Sequence, residues 1–283
     1  CTYYSKIIGK EIMKNFKSFF KRRFLKFKFS KDYLLYKKPN SLEELFDLNN
    51  MEIYMSMFYY FHKYLSKDIK KLRGYFNSNF RGFGADAFFS IWYFIFKSKI
   101  PTNILEIGVY RGQSLALFQL LSDKNNIPSN IFGISPFTNI GDEYSEYPDI
   151  DYIYDIQNSF EKFKLKKPNL IEGLSQDENI TNFIKSQMWD LIYVDGSHDY
   201  EVVIDDLRIS ADYLNKGGIL AVDDSNKDSD FDSEYIEKKF KIRSSDGHNG
   251  PTIALADLLE ERNDIRNEIF GLVEYILSKK SSY

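Results

Sequence analysis

Acidic residues and a histidine follow two neighbouring apolar segments in the second half of the chain. The run DLIYVDGSH ends in Asp195 and His198, and the run GGILAVDD ends in Asp223 and Asp224. If both runs are parallel strands of one sheet, their ends lie about 5 Å apart and three carboxylates meet in one small volume. Such carboxylates repel one another and raise one another's pKa values, and a bound divalent cation such as Mg²⁺ relieves the repulsion.

These residues also have a structural interpretation, because acids at strand ends cap helices or pair with Lys and Arg, and a histidine can bond to the loop backbone. We favour the functional interpretation for the group as a whole. Asp195, Asp223 and Asp224 are then the cation ligands. His198 is the general base, because the ordinary pKa of an imidazole, about 6.5, lies near working pH.

The other two histidines are interpreted differently. His62 lies in a segment that is apolar nearly all round, MEIYMSMFYYFHKYL, and is predicted to be a packed core residue. His248 lies in a glycine-bearing segment, residues 244–259, which is predicted to be a loop running into a helix that covers the substrate. We expect His248 to be an exposed loop residue, with a second polar contact to the substrate as the alternative.

A glycine turn precedes this region, at EIGVYRGQS. Gly108 and Gly112 stand four residues apart where an apolar run passes into a helical pattern. Glycine permits a positive φ and a close approach of the backbone to a ligand. The spacing is E-x-G-x-x-x-G from Glu106, which differs from the G-x-G-x-x-G of dinucleotide-binding proteins and weakens that interpretation.

From Pro101 onward, apolar strand-like runs alternate with helical stretches. The runs are NILEIGV, NIFGIS, PNLIEG, DLIYVDG and GGILAVDD. This alternation predicts an α/β fold: a Rossmann-like, mostly parallel, doubly wound sheet with helices on both faces. Ligands of such sheets bind beyond the carboxyl ends of the strands. We predict two parts, an N-terminal helical extension over residues 1–98 and a catalytic domain over residues 99–283.

The turn resembles motif I of class I S-adenosylmethionine (SAM)-dependent methyltransferases. Over residues 103–225 the chain also looks like the macrocin and mycinamicin sugar O-methyltransferase group, which includes cephalosporin-hydroxylase-like proteins. The D-G-S-H-x-Y segment and the later D-D pair are the specific part of this likeness. The resemblance implies methyl transfer from SAM to a sugar hydroxyl with Mg²⁺ present, a homo-oligomer, and N-terminal helices that contribute to substrate binding.

The resemblance also implies which residues hold the cofactor: Glu106, Gly108, Tyr110, Gly112, Ser114, Ser135, Ser175 and Asp195. Leu174 and Gln176 are expected near the adenine. Ser135 departs from the family, which places an acid there for the ribose hydroxyls. A serine hydroxyl can still bond to a ribose, and Asp142 or Glu143 folding back is the alternative.

The acceptor is predicted to be a bacterial surface glycan (a capsule or O-antigen) or its nucleotide-activated precursor. Alternatives are a small-molecule natural product or a catechol-like acceptor. A metal-dependent hydrolase would use the same acids but leaves the glycine turn unexplained. A nicotinamide-dependent enzyme would need a tighter glycine pattern. A non-catalytic methyltransferase-like scaffold is a further alternative, because Ser135 departs from the family pattern.

Charge is unevenly distributed along the 283 residues, whose net charge of −3 gives no argument for nucleic acid. Residues 1–40 contain 12 Lys and Arg against 2 Asp and Glu. Interleaved phenylalanines there suit a helix docked by its apolar face, a transit peptide, or peripheral contact with an anionic membrane surface. One cysteine and no apolar run near the ~20 residues of a membrane span suit a cytoplasmic protein, with the inner face of the membrane as the contact.

Overall fold

The computed structural model describes residues 38–41, 43–45, 48, 50–78, 81–140, 147–225, 234, 238, 247–272 and 274–279, and only the backbone of residues 43, 50 and 266–279. Residues 1–37 of the basic segment (residues 1–40) and the alternative ribose acids Asp142 and Glu143 lie outside these ranges.

A seven-stranded sheet forms the centre of the described part of the chain. Its spatial order is β3-β2-β1-β4-β5-β7-β6. The first five strands run parallel, whereas β7 is antiparallel to both of its neighbours. The bounds are β1 Asn103–Ile107, β2 Asn130–Ser135, β3 Asn169–Glu172, β4 Trp189–Val194, β5 Leu214–Asp223, β6 Ile265–Leu272 and β7 Glu274–Lys279. The predicted Rossmann-like sheet is confirmed, and β6 and β7 extend it beyond the five predicted strands.

Helices precede the sheet and alternate with its strands. The eight α-helices of the described residues are α1 Asn50–Lys63, α2 Lys67–Ser78, α3 Asp86–Lys99, α4 Gln113–Asn125, α5 Tyr152–Phe163, α6 Glu178–Lys185, α7 Tyr200–Asp212 and α8 Asn249–Glu261. None of the helices in the described ranges has both the length and the apolar composition that crossing a bilayer requires.

Each face of the sheet carries its own hydrophobic core because strand side chains alternate between faces. In β4, Leu191 and Tyr193 pack with the helices α1 to α5, whereas Ile192 and Val194 pack with α6, α7 and α8. The N-terminal helices α1 to α3 therefore share a core with the sheet. His62, on α1, packs its ring against Phe58 with centroids 4.5 Å apart.

Asp190 fixes the starts of three neighbouring strands, at the edge opposite the predicted site. Its carboxylate accepts hydrogen bonds from the backbone N–H groups of Thr102 and Asn103, both at 2.9 Å, and from the amide of Asn215 at 2.7 Å. Burial raises the pKa of Asp190, but these hydrogen bonds outweigh burial and hold it below its ordinary value. This acid at the start of a strand therefore has a structural role.

Candidate functional site

The carboxyl ends of β1, β4 and β5 bring three acids together. Ile107 pairs with Val194 and Val194 with Val222, so Asp195 and Asp223 follow at the same level of the sheet. Their side chains hydrogen-bond to each other. Asp223 also accepts from the Tyr193 hydroxyl at 3.0 Å and from the Asp224 backbone N–H at 2.9 Å. Asp195 and Asp223 meet as predicted, but the Asp224 carboxylate contacts His198 instead, so the predicted group of three carboxylates forms only in part.

Glu106, from β1, is the third acid of this group. The Ser114 hydroxyl donates to its Oε1, and its buried Oε2 has no hydrogen-bond partner within the described ranges. Burial raises the pKa of Glu106 to about 8. The pKa of Asp223 is raised to about 7, first by burial and then by the charge of Asp224. The pKa of Asp195 is raised well above its usual range by burial and by the neighbouring Asp223. At neutral pH the group therefore retains protons that a cation could displace.

Asp224 points its carboxylate toward two histidines. It has a left-handed backbone, with φ of 52°. Its Oδ2 lies 3.1 Å from Nε2 of His198 and 3.7 Å from Nε2 of His248. The two imidazole centroids are 4.1 Å apart. The interpretation of His248 as an exposed loop residue is wrong, because its side chain is only 25% exposed and packs on His198 immediately before α8.

The glycine turn allows the loops after β1 and β4 to touch. Gly108 has φ of 95° and Gly112 has φ of 75°. A Cβ at Gly108 would lie 2.1 Å from the carbonyl oxygen of Asp195. Only glycine fits there, since the backbones themselves are in contact. The predicted turn is present, and it sets the position of Asp195 as well as the shape of the cavity beside it.

Two cavities open at this edge of the sheet. The larger, about 350 Å³, extends over the ends of β1 to β4 and is lined by the predicted Gly108, Ser135 and Ser175. The smaller, about 80 Å³, is lined by Glu106, Gly112 and Ser114, together with the acid Asp223. Both cavities are lined by Phe83, Tyr110 and Asp195. All eight residues predicted to hold the cofactor therefore line one cavity or both.

Ser135 lies at the end of β2 beside the larger cavity, as predicted. Asp206, on α7, lines the same cavity and is only 3% exposed. Burial raises the pKa of Asp206 to about 7, against the opposing effect of a hydrogen bond with Ser175. Asp206 could not be predicted as a cavity residue, because it lies within a regular amphipathic helix pattern.

The wall shared by the two cavities comes from the loop between α2 and α3. Phe83, 60% exposed, packs on Tyr110 with ring centroids 5.0 Å apart. Arg73, on α2 and only 4% exposed, holds this loop. Its guanidinium donates to Asp86 at 3.0 Å, to the Gln113 side chain at 2.8 Å, to the Phe83 carbonyl at 3.2 Å and to the Gly84 carbonyl. This arginine could not be predicted as a site residue, because no local spacing connects it with the loop.

Residues 105–225 match the sequence profile of the family described as a methyltransferase domain, Methyltransf_24. The chain is also 30% identical, over 130 residues, to an uncharacterized protein of Acanthamoeba polyphaga mimivirus. That match covers 44% of this chain, and the chain spans about half of the relative's length, 52%.

Solved structures with the same fold include a SAH-bound methyltransferase from Podospora anserina. It is 17% identical, with a TM-score of 0.55 over 79% of this chain and 93% of that chain. A Bacillus cereus O-methyltransferase in complex with SAH is 10% identical, with a TM-score of 0.54 over 82% of this chain and 100% of that chain. A third structure is the O-methyltransferase TomG from Streptomyces achromogenes, involved in tomaymycin synthesis, in complex with SAM. It is 11% identical, with a TM-score of 0.50 over 80% of this chain and 96% of that chain. The chain therefore has the class I methyltransferase fold, and its residues 105–225 match a methyltransferase domain.

Proposed function

We propose that the protein is a metal-dependent, SAM-dependent O-methyltransferase that acts on a sugar hydroxyl. The observation that carries the proposal is that two cavities with a shared wall, the Asp195–Asp223 pair and His198 lie together at one edge of the sheet. The family profile over residues 105–225 supports methyl transfer. The metal, the sugar acceptor and the role of each side chain belong to the proposal.

The two cavities suit the two ends of SAM. The larger one offers apolar surface for an adenine beside Leu174 and Gln176, and the Ser135 hydroxyl for a ribose. The smaller one has acids, Glu106 among them, to receive an ammonium group. Arg111 lines it too, and its guanidinium offers donors to a carboxylate. This charge pattern matches an amino acid and is a poor match to the phosphates of a dinucleotide.

The acids at the sheet edge have the chemistry of a hard-cation site. Asp195, Asp223 and Asp224 provide carboxylate oxygens, the ligands that Mg²⁺ prefers. The hydrogen bond between Asp195 and Asp223 requires a shared proton, and the cation would take its place. A bound cation would supply electrostatic stabilisation to an acceptor oxygen as it loses its proton.

His198 is the general base of the proposed reaction. The acceptor hydroxyl attacks the methyl carbon, the carbon–sulfur bond breaks as the carbon–oxygen bond forms, and the proton passes to the imidazole. Asp224, 3.1 Å from Nε2 of His198, orients the ring and stabilises its charged form. Both groups come from short connections at strand ends, so the sheet fixes their relative position.

A sugar acceptor is favoured by the D-G-S-H-x-Y segment and the D-D pair, which together resemble the sugar O-methyltransferase group. We propose a bacterial surface glycan, or its nucleotide-activated precursor, as the substrate. A natural product or a catechol is the second candidate, because the same acids and histidine would serve any pair of neighbouring hydroxyls. The described structure contains no feature that favours a hydrolase over methyl transfer.

The remaining proposals concern partners and location. We propose that residues 1–98 form a helical extension to the catalytic domain over residues 99–283. We also propose that the protein is a homo-oligomer. In the third proposal the enzyme is cytoplasmic and its basic segment contacts the inner face of the membrane. Sedimentation at several protein concentrations tests the oligomer. Binding of the full chain to anionic vesicles, compared with a chain whose basic residues before position 38 are replaced by Gln, tests the membrane contact.

Methyl transfer is tested with SAM, Mg²⁺ and separate panels of nucleotide sugars, oligosaccharides and catechols, with mass spectrometry as the readout. The proposal predicts one added methyl group on a sugar hydroxyl, loss of product when Mg²⁺ is chelated, and loss of roughly 100-fold or more in rate for His198→Ala. Methylation of catechols alone would favour the second candidate. SAH formation that persists unchanged in His198→Ala would contradict the role of that residue.

A further inference from the structure

Two histidines and one acid converge from separate elements on the solvent side of the carboxylate group. His198 belongs to the loop after β4, Asp224 follows β5, and His248 precedes α8. One potential ligand atom from each lies within 4.8 Å of the other two. Their side chains are 13%, 19% and 25% exposed, respectively, so the group is partly buried yet reachable by an ion and its waters.

Backbone contacts hold the three residues in place. The His248 N–H donates to the Asp224 carbonyl at 2.8 Å. A Cβ at Gly250 would lie 1.9 Å from the His198 carbonyl oxygen, so the start of α8 touches the His198 loop directly. Asp224 has a left-handed backbone, with φ of 52°, and its carboxylate lies 3.1 Å from Nε2 of His198. The three side chains are therefore arranged before any ion arrives.

We propose that His198, Asp224 and His248 form a site for a divalent transition-metal ion, distinct in chemistry from the oxygen-only Mg²⁺ site of the proposed function. Two imidazole nitrogens and one carboxylate are ligands suited to Zn²⁺, Co²⁺ or Fe²⁺, whereas Mg²⁺ prefers oxygen alone. Partial exposure leaves room for water to complete the coordination, as at an open three-ligand site.

Occupancy of this site would have a regulatory effect, a consequence that rests on the proposed function. An ion bound to one nitrogen of the neutral His198 imidazole leaves the ring's proton on the other nitrogen, so the ring has no lone pair with which to act as a general base. Asp224 belongs to both ligand sets, so the two ions would also compete for its carboxylate. Zn²⁺ or Co²⁺ is therefore expected to inhibit a methyl transfer that Mg²⁺ supports.

The test is titration of the full chain with Co²⁺ by calorimetry, followed by X-ray absorption of the complex, in which imidazole ligands give a distinctive scattering pattern. The wild type is compared with His248→Ala and with Asp195→Asn, which alters only the oxygen site. We expect imidazole ligation in the wild type and in Asp195→Asn. His248→Ala should bind Co²⁺ at least about 10-fold more weakly, the loss caused even by removing outer-shell partners.

Three results would overturn the proposal: no Co²⁺ binding, oxygen ligands only, or unchanged affinity in His248→Ala. Thermal unfolding of each variant verifies its fold, and His198→Gln provides a second removal of a nitrogen ligand. SAH binding, measured on the same preparation, separates this inference from the proposed function. Failure to bind SAH would refute the proposed function and leave the Co²⁺ result standing.

Discussion

Replacement of Arg73 by Met tests whether the N-terminal helices build the cofactor site. The guanidinium of Arg73 is buried and donates to Asp86, to the Gln113 side chain and to two carbonyls of the loop that separates the cavities. Met retains an unbranched apolar stem but removes every donor. Asp86, only 9% exposed, then remains buried without its principal partner.

The expected cost follows from this burial. Removal of one partner of a buried ion pair typically destabilises a protein by about 3–5 kcal/mol. His62, whose Nε2 lies 3.1 Å from Asp86, still faces that carboxylate and limits the loss. We therefore expect Arg73→Met to lower the free energy of unfolding by about 3 kcal/mol. Urea denaturation followed by circular dichroism measures it.

The matched control is Arg208→Met. Arg208 also donates to a carboxylate, that of Glu261, but this pair lies on the exposed surface. We expect little change in stability there, because exposed ion pairs contribute little. Equal effects of the two substitutions would refute the reasoning from burial.

A second readout separates positioning of the loop from general stability. Gln113, which accepts a hydrogen bond from Arg73, lines the smaller cavity but not the larger one, and the smaller cavity is where the amino acid end of SAH is proposed to bind. In Arg73→Met at a temperature where the variant is folded, affinity for SAH should fall while affinity for adenosine is retained. Equal loss of both ligands, or of neither, would contradict a role for Arg73 in positioning this wall.

Three further predictions concern single residues. Burial raises the pKa of Asp206 from 3.8 to about 7, so its contribution to stability is fully present below about pH 4 and is lost as the pH rises to about 7. The change is at most about 4 kcal/mol. Denaturation at several pH values should show that Asp206→Asn removes this dependence of stability on pH, and an unchanged dependence would contradict the prediction. Gly108→Ala should abolish SAH binding, because its Cβ would lie 2.1 Å from the Asp195 carbonyl oxygen. The control Gly217→Ala, with φ of 78° and no atom within 4 Å of its Cβ, should lower the free energy of unfolding by only about 1–2 kcal/mol. Equal effects of the two substitutions would refute the steric argument. His198→Ala should leave SAH affinity unchanged in calorimetry, and a large loss would mean that the residue holds the cofactor.

The five parallel strands could be predicted because strands buried on both faces are short apolar runs that end in polar residues. The same logic predicted that Asp195 and Asp223 would meet, since parallel strands end at one edge. The two C-terminal strands, Ile265–Leu272 and Glu274–Lys279, were missed. Their sequences mix charged and apolar residues, and pairing at the sheet edge determines their structure more than local pattern does.

The side chains that complete the site could not be predicted, because long-range packing positions them. Arg73 reaches Gln113 across 40 residues of sequence. His248 reaches His198 only because the start of α8 packs against the loop after β4. The sequence shows each of these as an isolated polar residue on a helix or in a loop.

Calorimetric titration of the purified full chain with SAH, in Mg²⁺ and again in chelator, tests the central claim most directly. The proposed function predicts one SAH per chain in either condition, and a heat of Mg²⁺ binding that is lost in Asp223→Ala. Absence of SAH binding by a folded wild-type protein would contradict the cofactor assignment and leave the protein with a methyltransferase fold that serves another purpose.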